Sequence, residues 1–156
     1  MKKYLPLVAL SCMLALPASL TAAEASSEKQ ARTALKFRQS LFQLIRSNMG
    51  ELGAMAKGHR PFDAAVMEKN GMRLEQLSLM IADYMALDTR KYDLDTEALD
   101  KIWVEKEAFA EKIEALTAAA QGLQSAAKAG DEKGFRPAIG AVGKTCKGCH
   151  DAFKAD

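Results

Sequence analysis

The sequence holds few of the residues that usually carry chemistry. Two histidines and three cysteines leave little from which to build an all-protein metal cage. No Ser-His-Asp set, no carboxylate pair placed by motif and no glycine-rich phosphate loop can be picked out, so the chain is not expected to be an enzyme. β-Branched residues are sparse and no window alternates with a period of two, which argues against strands. Charge of one sign is also lacking. There are 22 basic against 20 acidic residues, and the two extra lysines, Lys2 and Lys3, lie at the N-terminus. A balanced surface gives no reason to expect a nucleic acid or an anionic membrane as partner.

Long apolar runs are missing too, with one exception. Leu5 to Leu20 follows Lys2 and Lys3 and ends in the small residues Thr21, Ala22 and Ala23. It is short for a membrane span, Pro6 and Pro17 interrupt it, and its layout is that of a secretory signal peptide. Cleavage is expected after Ala23, with Ala25 as the second choice, leaving a single domain over 24–156. Acylation at Cys12 is disfavoured, because it sits within the apolar run. The mature chain is then exported to the periplasm with two cysteines, Cys146 and Cys149, and 20 basic residues against 20 acidic ones.

What is present is helix-forming sequence, rich in Ala, Leu, Lys, Glu and Gln. Four amphipathic segments are expected. The first opens at Ser27, with Gln30 completing a capping box, and carries Leu35, Arg38, Phe42, Ile45, Met49 and Leu52 on one stripe. Gly58 and Pro61 punctuate its end. The second starts near Pro61-Phe62-Asp63 and carries Met67, Leu74, Leu77, Ile81 and Tyr84. A polar, turn-like stretch over 88–96 follows. The third carries Ile102, Phe109, Ile113, Leu116, Ala120 and Leu123, with Trp103 beside them, and breaks at Ala129-Gly130-Asp131. The fourth carries Phe135, Ile139, Val142, Cys146, Cys149 and Phe153, and Pro137 requires it either to start near Phe135 or to kink. Such stripes on four helices with short links imply an all-α, antiparallel up-down four-helix bundle.

Three readings compete for Cys146-Lys147-Gly148-Cys149-His150. In a covalent haem site the two thiols form thioether links and the adjacent histidine ligates iron. Spacings of three and four place all three side chains on one helix face, and attachment of this kind takes place outside the bacterial cytoplasm. A thiol–disulfide motif would sit at a helix N-terminus after a strand; here the pair lies near a helix C-terminus. A zinc site would need a fourth ligand, and His59 is the only other histidine. A further residue bears on the choice. Arg38 is the one charge on the first stripe, where it is costly unless an anion meets it. A haem propionate would do so; the alternative is an arginine that snorkels to water at a bundle end.

At these residues the chain resembles the cytochrome c′ family, the class II c-type cytochromes. The resemblance is carried by "KFRQSLFQL", "PFDAAV", "IWVEKEAF" and "VGKTCKGCHDAFK", in order across about residues 27–154. It implies one haem c attached through Cys146 and Cys149, with His150 as the proximal iron ligand. It also implies that Arg38 and Gln39 line the haem and its propionates, and that Glu97 adds a polar haem contact. Phe42 matches the position over the distal side of the iron, which carries a methionine ligand in six-coordinate relatives. A phenylalanine there points to the five-coordinate, high-spin branch, with a distal site that admits nitric oxide or carbon monoxide and with a capacity for electron transfer. Relatives often have an arginine four residues after the proximal histidine; this chain has Lys154, which keeps the charge but loses the planar fork. The family also often forms antiparallel homodimers through the first two helices. Against this stand a six-coordinate electron carrier of the same fold, closed by Met49 or another methionine, and a non-haem thiol-exchange protein. Lys144, Lys147 and Lys154 read as a solvated helix face or, less simply, as a surface steering an acidic redox partner, whose identity the sequence does not give.

Overall fold

The computed structural model describes residues 22–130 and 132–155; the expected leader lies outside them except for Ala22 and Ala23. Five helices follow one another: α1 (Glu28–Ala56), α2 (Ala64–Met85), α3 (Lys101–Val104), α4 (Lys106–Ala129) and α5 (Glu132–Phe153). The four long ones form the expected bundle.

The helix starts are written in the sequence. Ser27 caps α1 by accepting from the Gln30 amide at 3.2 Å. The return half of the expected box is displaced by one residue: Gln30 Oε1 accepts from the Ser26 amide at 2.7 Å rather than from Ser27. Asp63 caps α2 through the Val66 amide at 3.0 Å, satisfying an amide that the helix itself leaves free. At the far end of α1, Gly58 takes φ of 77°, a conformation that suits glycine. Gly130 does the same after α4, with φ of 68°.

Pairwise contacts fix the antiparallel order. Arg38 near the start of α1 meets Tyr84 near the end of α2, and Glu51 further along α1 meets Asn70 nearer the start of α2. Ser78 and Thr117 share a 2.7 Å hydrogen bond between α2 and α4, while Gln124 and Gln121 of α4 donate to Glu75 of α2. The two helices approach closely at Gly71, where an added Cβ would lie 2.8 Å from Gln124 Cγ and 3.2 Å from the Ala120 carbonyl oxygen. Glycine is what permits that approach. Neither Asn70 nor Ser78 belongs to an apolar stripe, yet both are buried; each has a partner, as burial requires.

Two expectations need correction. The third helix is not continuous. Glu105 adopts φ −103° and ψ 56°, separating α3 from α4. Ile102 and Trp103 are adjacent and both buried, and the Trp103 indole donates to the Met85 carbonyl at 2.9 Å. Neighbouring side chains diverge by about 100° on a helix, so burying this pair sets α3 apart from the stripe of Phe109, Leu116, Ala120 and Leu123. The second correction concerns the stripe of α1. Its core side is Ala31, Arg38, Leu41, Ile45, Leu52 and Met55. Leu41 takes the core position expected of Phe42, which is 39 % exposed. As for Pro137, α5 starts at Glu132 and runs through it. A proline in the second turn forgoes only one of the helix's hydrogen bonds.

Candidate functional site

Cys146, Cys149 and His150 occupy the last two turns of α5. Both thiols are free and half-buried, while His150 is exposed. Burial pushes both thiols above the ordinary cysteine range, with Lys112 of α4 opposing the shift at Cys149. Both pack against the core, and the upward shift disfavours the thiolate on which disulfide exchange depends. A redox dithiol would need the opposite shift.

The facing wall begins with α1. Among the contacts between neighbouring long helices, those of α1 with α5 are the sparsest. Phe42 on α1 keeps an apolar ring exposed, Gln39 is exposed, and Met49 is half-buried at the edge of the core. These are the features of a surface suited to a flat apolar group.

Arg38 is 5 % exposed, which excludes the reading in which it snorkels to water. Its Nε donates to the Tyr84 carbonyl at 2.9 Å and Nη1 to Thr89 Oγ1 at 2.9 Å; Nη2 donates to the Leu87 carbonyl. The guanidinium also stacks 5.2 Å from the Trp103 ring centroid, an arrangement favoured by the negative face of the indole. Burial alone would lower its affinity for a proton, and Asp88 pulls the other way. With five N–H groups on a guanidinium and three so engaged, two are left to meet a further acceptor.

The stretch over 88–96, read from sequence as a mere turn, supplies this anchorage. Asp88 and Thr89 are buried. The Asp88 carboxylate receives Arg90 through Nε at 3.0 Å and Nη2 at 2.6 Å, and Arg90 hydrogen bonding holds its pKa below the usual carboxylate range. On the other side the main chain of Asp88 pairs with residues 23–25: its amide donates to the Ala23 carbonyl and its carbonyl accepts from the Ala25 amide, both at 2.8 Å. Sequence reasoning missed Asp88, Thr89 and Arg90. Polar residues in an irregular stretch carry no periodicity from which burial could be read.

Glu97 and Lys154 are brought together. Lys154 Nζ lies 2.9 Å from Glu97 Oε2, beside a short antiparallel bridge between Ala98 and Lys154. Lys147 pairs with Asp151 at 2.6 Å. Two of the three lysines near the motif are thus matched by carboxylates, which weakens the reading of this face as a steering surface.

The donor set fits a covalently attached haem: two free thiols three residues apart, a histidine next to the second, and an exposed aromatic ring, Phe42, on α1, a helix that contacts α5. Comparison with known proteins agrees. A profile of the family described as Cytochrome C′ matches residues 33–154. Cytochrome c′ of Cereibacter sphaeroides is 38 % identical over 144 residues, covering 91 % of this chain and 92 % of that protein. Among solved structures, cytochrome c prime from Shewanella frigidimarina superposes with a TM-score of 0.73 at 40 % identity, covering 81 % of this chain and 97 % of the other. A nitric oxide complex of a point mutant of cytochrome c prime from Alcaligenes xylosoxidans gives 0.70 at 32 % identity, covering 81 % and 96 %.

Proposed function

We propose that this chain, which belongs to the cytochrome c′ family and so carries covalently attached haem c, holds it through Cys146 and Cys149 with His150 as iron ligand, and is an exported, five-coordinate haem protein that takes up nitric oxide and carbon monoxide. When bound, the haem supplies an iron that can exchange an electron or accept a diatomic ligand. The chain's own residues account for the selectivity. Phe42 offers neither a lone pair for iron nor a hydrogen-bond donor, so it closes the distal side against polar ligands while leaving neutral diatomics a path. Arg38 and Gln39 meet the propionates, Arg38 through the two N–H groups its protein partners leave over. Glu97 acts at the proximal end through Lys154.

The observation that carries the reading is Phe42: an aromatic ring left exposed on α1 beside a helix that ends in Cys146, Cys149 and His150. Nitric oxide binding by a relative of known structure supports it. Export is supported by the leader-like residues 1–23 and by covalent haem attachment, which takes place outside the cytoplasm; the periplasm is the proposed location. A homodimer is supported by the outer faces of α1 and α2, where Phe37, Leu44, Met72 and Leu79 are each at least half exposed. Apolar residues repeating at intervals of seven on two adjacent helices form a patch suited to a second copy of itself.

The test is the visible spectrum of the reduced, haem-loaded protein with and without carbon monoxide. A broad high-spin band that sharpens on carbon monoxide addition is expected. Sharp α and β bands before any gas is added would establish the six-coordinate electron carrier instead.

A further inference from the structure

We propose that Glu97 is a positioning residue: it draws Lys154 into a neutral pair one helical turn from His150 and thereby sets the reduction potential of the haem. This rests on the functional reading above and adds to it a determinant of the iron's redox behaviour.

The last turn of α5 is held in an unusual way. Among the described residues no hydrogen bond to the His150 ring is found, so the ring's place depends on the turn that bears it. That turn is closed by the Lys154 amide donating to the His150 carbonyl at 3.1 Å. Phe153, 4 % exposed, then packs edge-on against Phe109 with ring centroids 5.1 Å apart. Beyond it the chain runs as a short ladder against 97–99: the Leu99 amide donates to the Phe153 carbonyl at 3.0 Å, and the Ala155 amide to the Glu97 carbonyl at 2.8 Å. Glu97 is thus fixed beside Lys154 by main-chain bonds, and the 2.9 Å ion pair follows from that register.

The pair does little for stability. Its side chains are 40 % and 68 % exposed, and exposed pairs contribute about 1 kcal/mol at most. Its effect is on the field at the iron. Ferric haem carries one more positive charge than ferrous haem, so an unmatched cation nearby disfavours the oxidised state. With Glu97 in place, the charge of Lys154 is offset. Lys147 is likewise offset by Asp151, so neither lysine presents an unmatched charge close to His150 until its partner is substituted.

The experiment measures the midpoint potential of the haem-loaded wild type, Glu97→Gln, Lys154→Gln and the exchanged pair Glu97→Lys with Lys154→Glu, at low ionic strength where screening is weak. Glu97→Gln is expected to raise the potential, Lys154→Gln to lower it, and the exchanged pair to return it toward the wild-type value. Visible spectra and thermal unfolding of all four should be alike, which separates a charge effect from a loss of structure. Unchanged potentials in both single variants, or shifts of the same sign, would overturn the proposal while leaving the functional reading standing. A wild type that carries no covalent haem would overturn both.

Discussion

Arg38 Nη1 donates to Thr89 Oγ1 at 2.9 Å, tying the first long helix to the segment that follows the second. The same guanidinium holds the Tyr84 and Leu87 carbonyls, so one side chain ends α2 and anchors the residues after it. Removing it strands three acceptors, one on buried Thr89 and two on half-buried Tyr84 and Leu87. Arg38→Met is therefore expected to destabilise the protein by about 2–4 kcal/mol, read from chemical unfolding. Arg38→Lys should fall between the two, since an ammonium cannot span all three acceptors.

Phe42 is exposed on α1, so changing it should alter ligand binding without harming the fold. Phe42→Ala is expected to tighten carbon monoxide binding by roughly tenfold, about 1.4 kcal/mol, through relief of crowding. Phe42→Met should convert the reduced iron to a low-spin spectrum. If unfolding midpoints match the wild type while neither spectrum nor affinity moves, Phe42 does not stand over the iron.

Acid should loosen the anchorage at Asp88. Arg90, through its hydrogen bonds, and Arg38, through its charge, keep this carboxyl more acidic in the folded chain than in the unfolded one. Such a group stabilises the fold at pH values above its unfolded pKa, and the contribution disappears as pH falls through that value toward the lower folded one. Unfolding free energy should therefore drop below about pH 4, and more steeply in the wild type than in Asp88→Asn. Urea titrations of both proteins from pH 7 to pH 2 provide the check; parallel profiles would remove Asp88 from the account.

Leu44 of α1 and Leu79 of α2 are exposed at 54 % and 53 %. If the outer faces of these helices bury one another in a homodimer, Leu44→Asp and Leu79→Asp should each yield monomers in sedimentation experiments at concentrations where the wild type is dimeric. Their haem spectra should be unaltered, because neither residue belongs to the attachment motif.

Local signals in the chain specified much of this arrangement. Ser27 caps α1 as expected and Asp63 caps α2 close to where that helix was expected to start, because a capping hydrogen bond involves residues only three apart. Cys146, Cys149 and His150 share a face because helix geometry alone puts them there. The stripes of Met67, Leu74 and Ile81 and of Phe135, Ile139 and Val142 were legible for the same reason. Periodicity did not distinguish Leu41 from Phe42, since neighbouring apolar residues on a helix differ only in which faces the core. Nor did it register the break at Glu105.

Composition and spacing by themselves determined the helical class, the order of the long helices and the cofactor attachment motif, since each depends on residues close together in the chain. Tertiary structure decided which partners meet across it: Thr89 for Arg38, Met85 for Trp103, Glu97 for Lys154. Those pairings depend on how the helices and the loop after α2 pack, and a buried charge takes whatever acceptors that packing brings within hydrogen-bond reach.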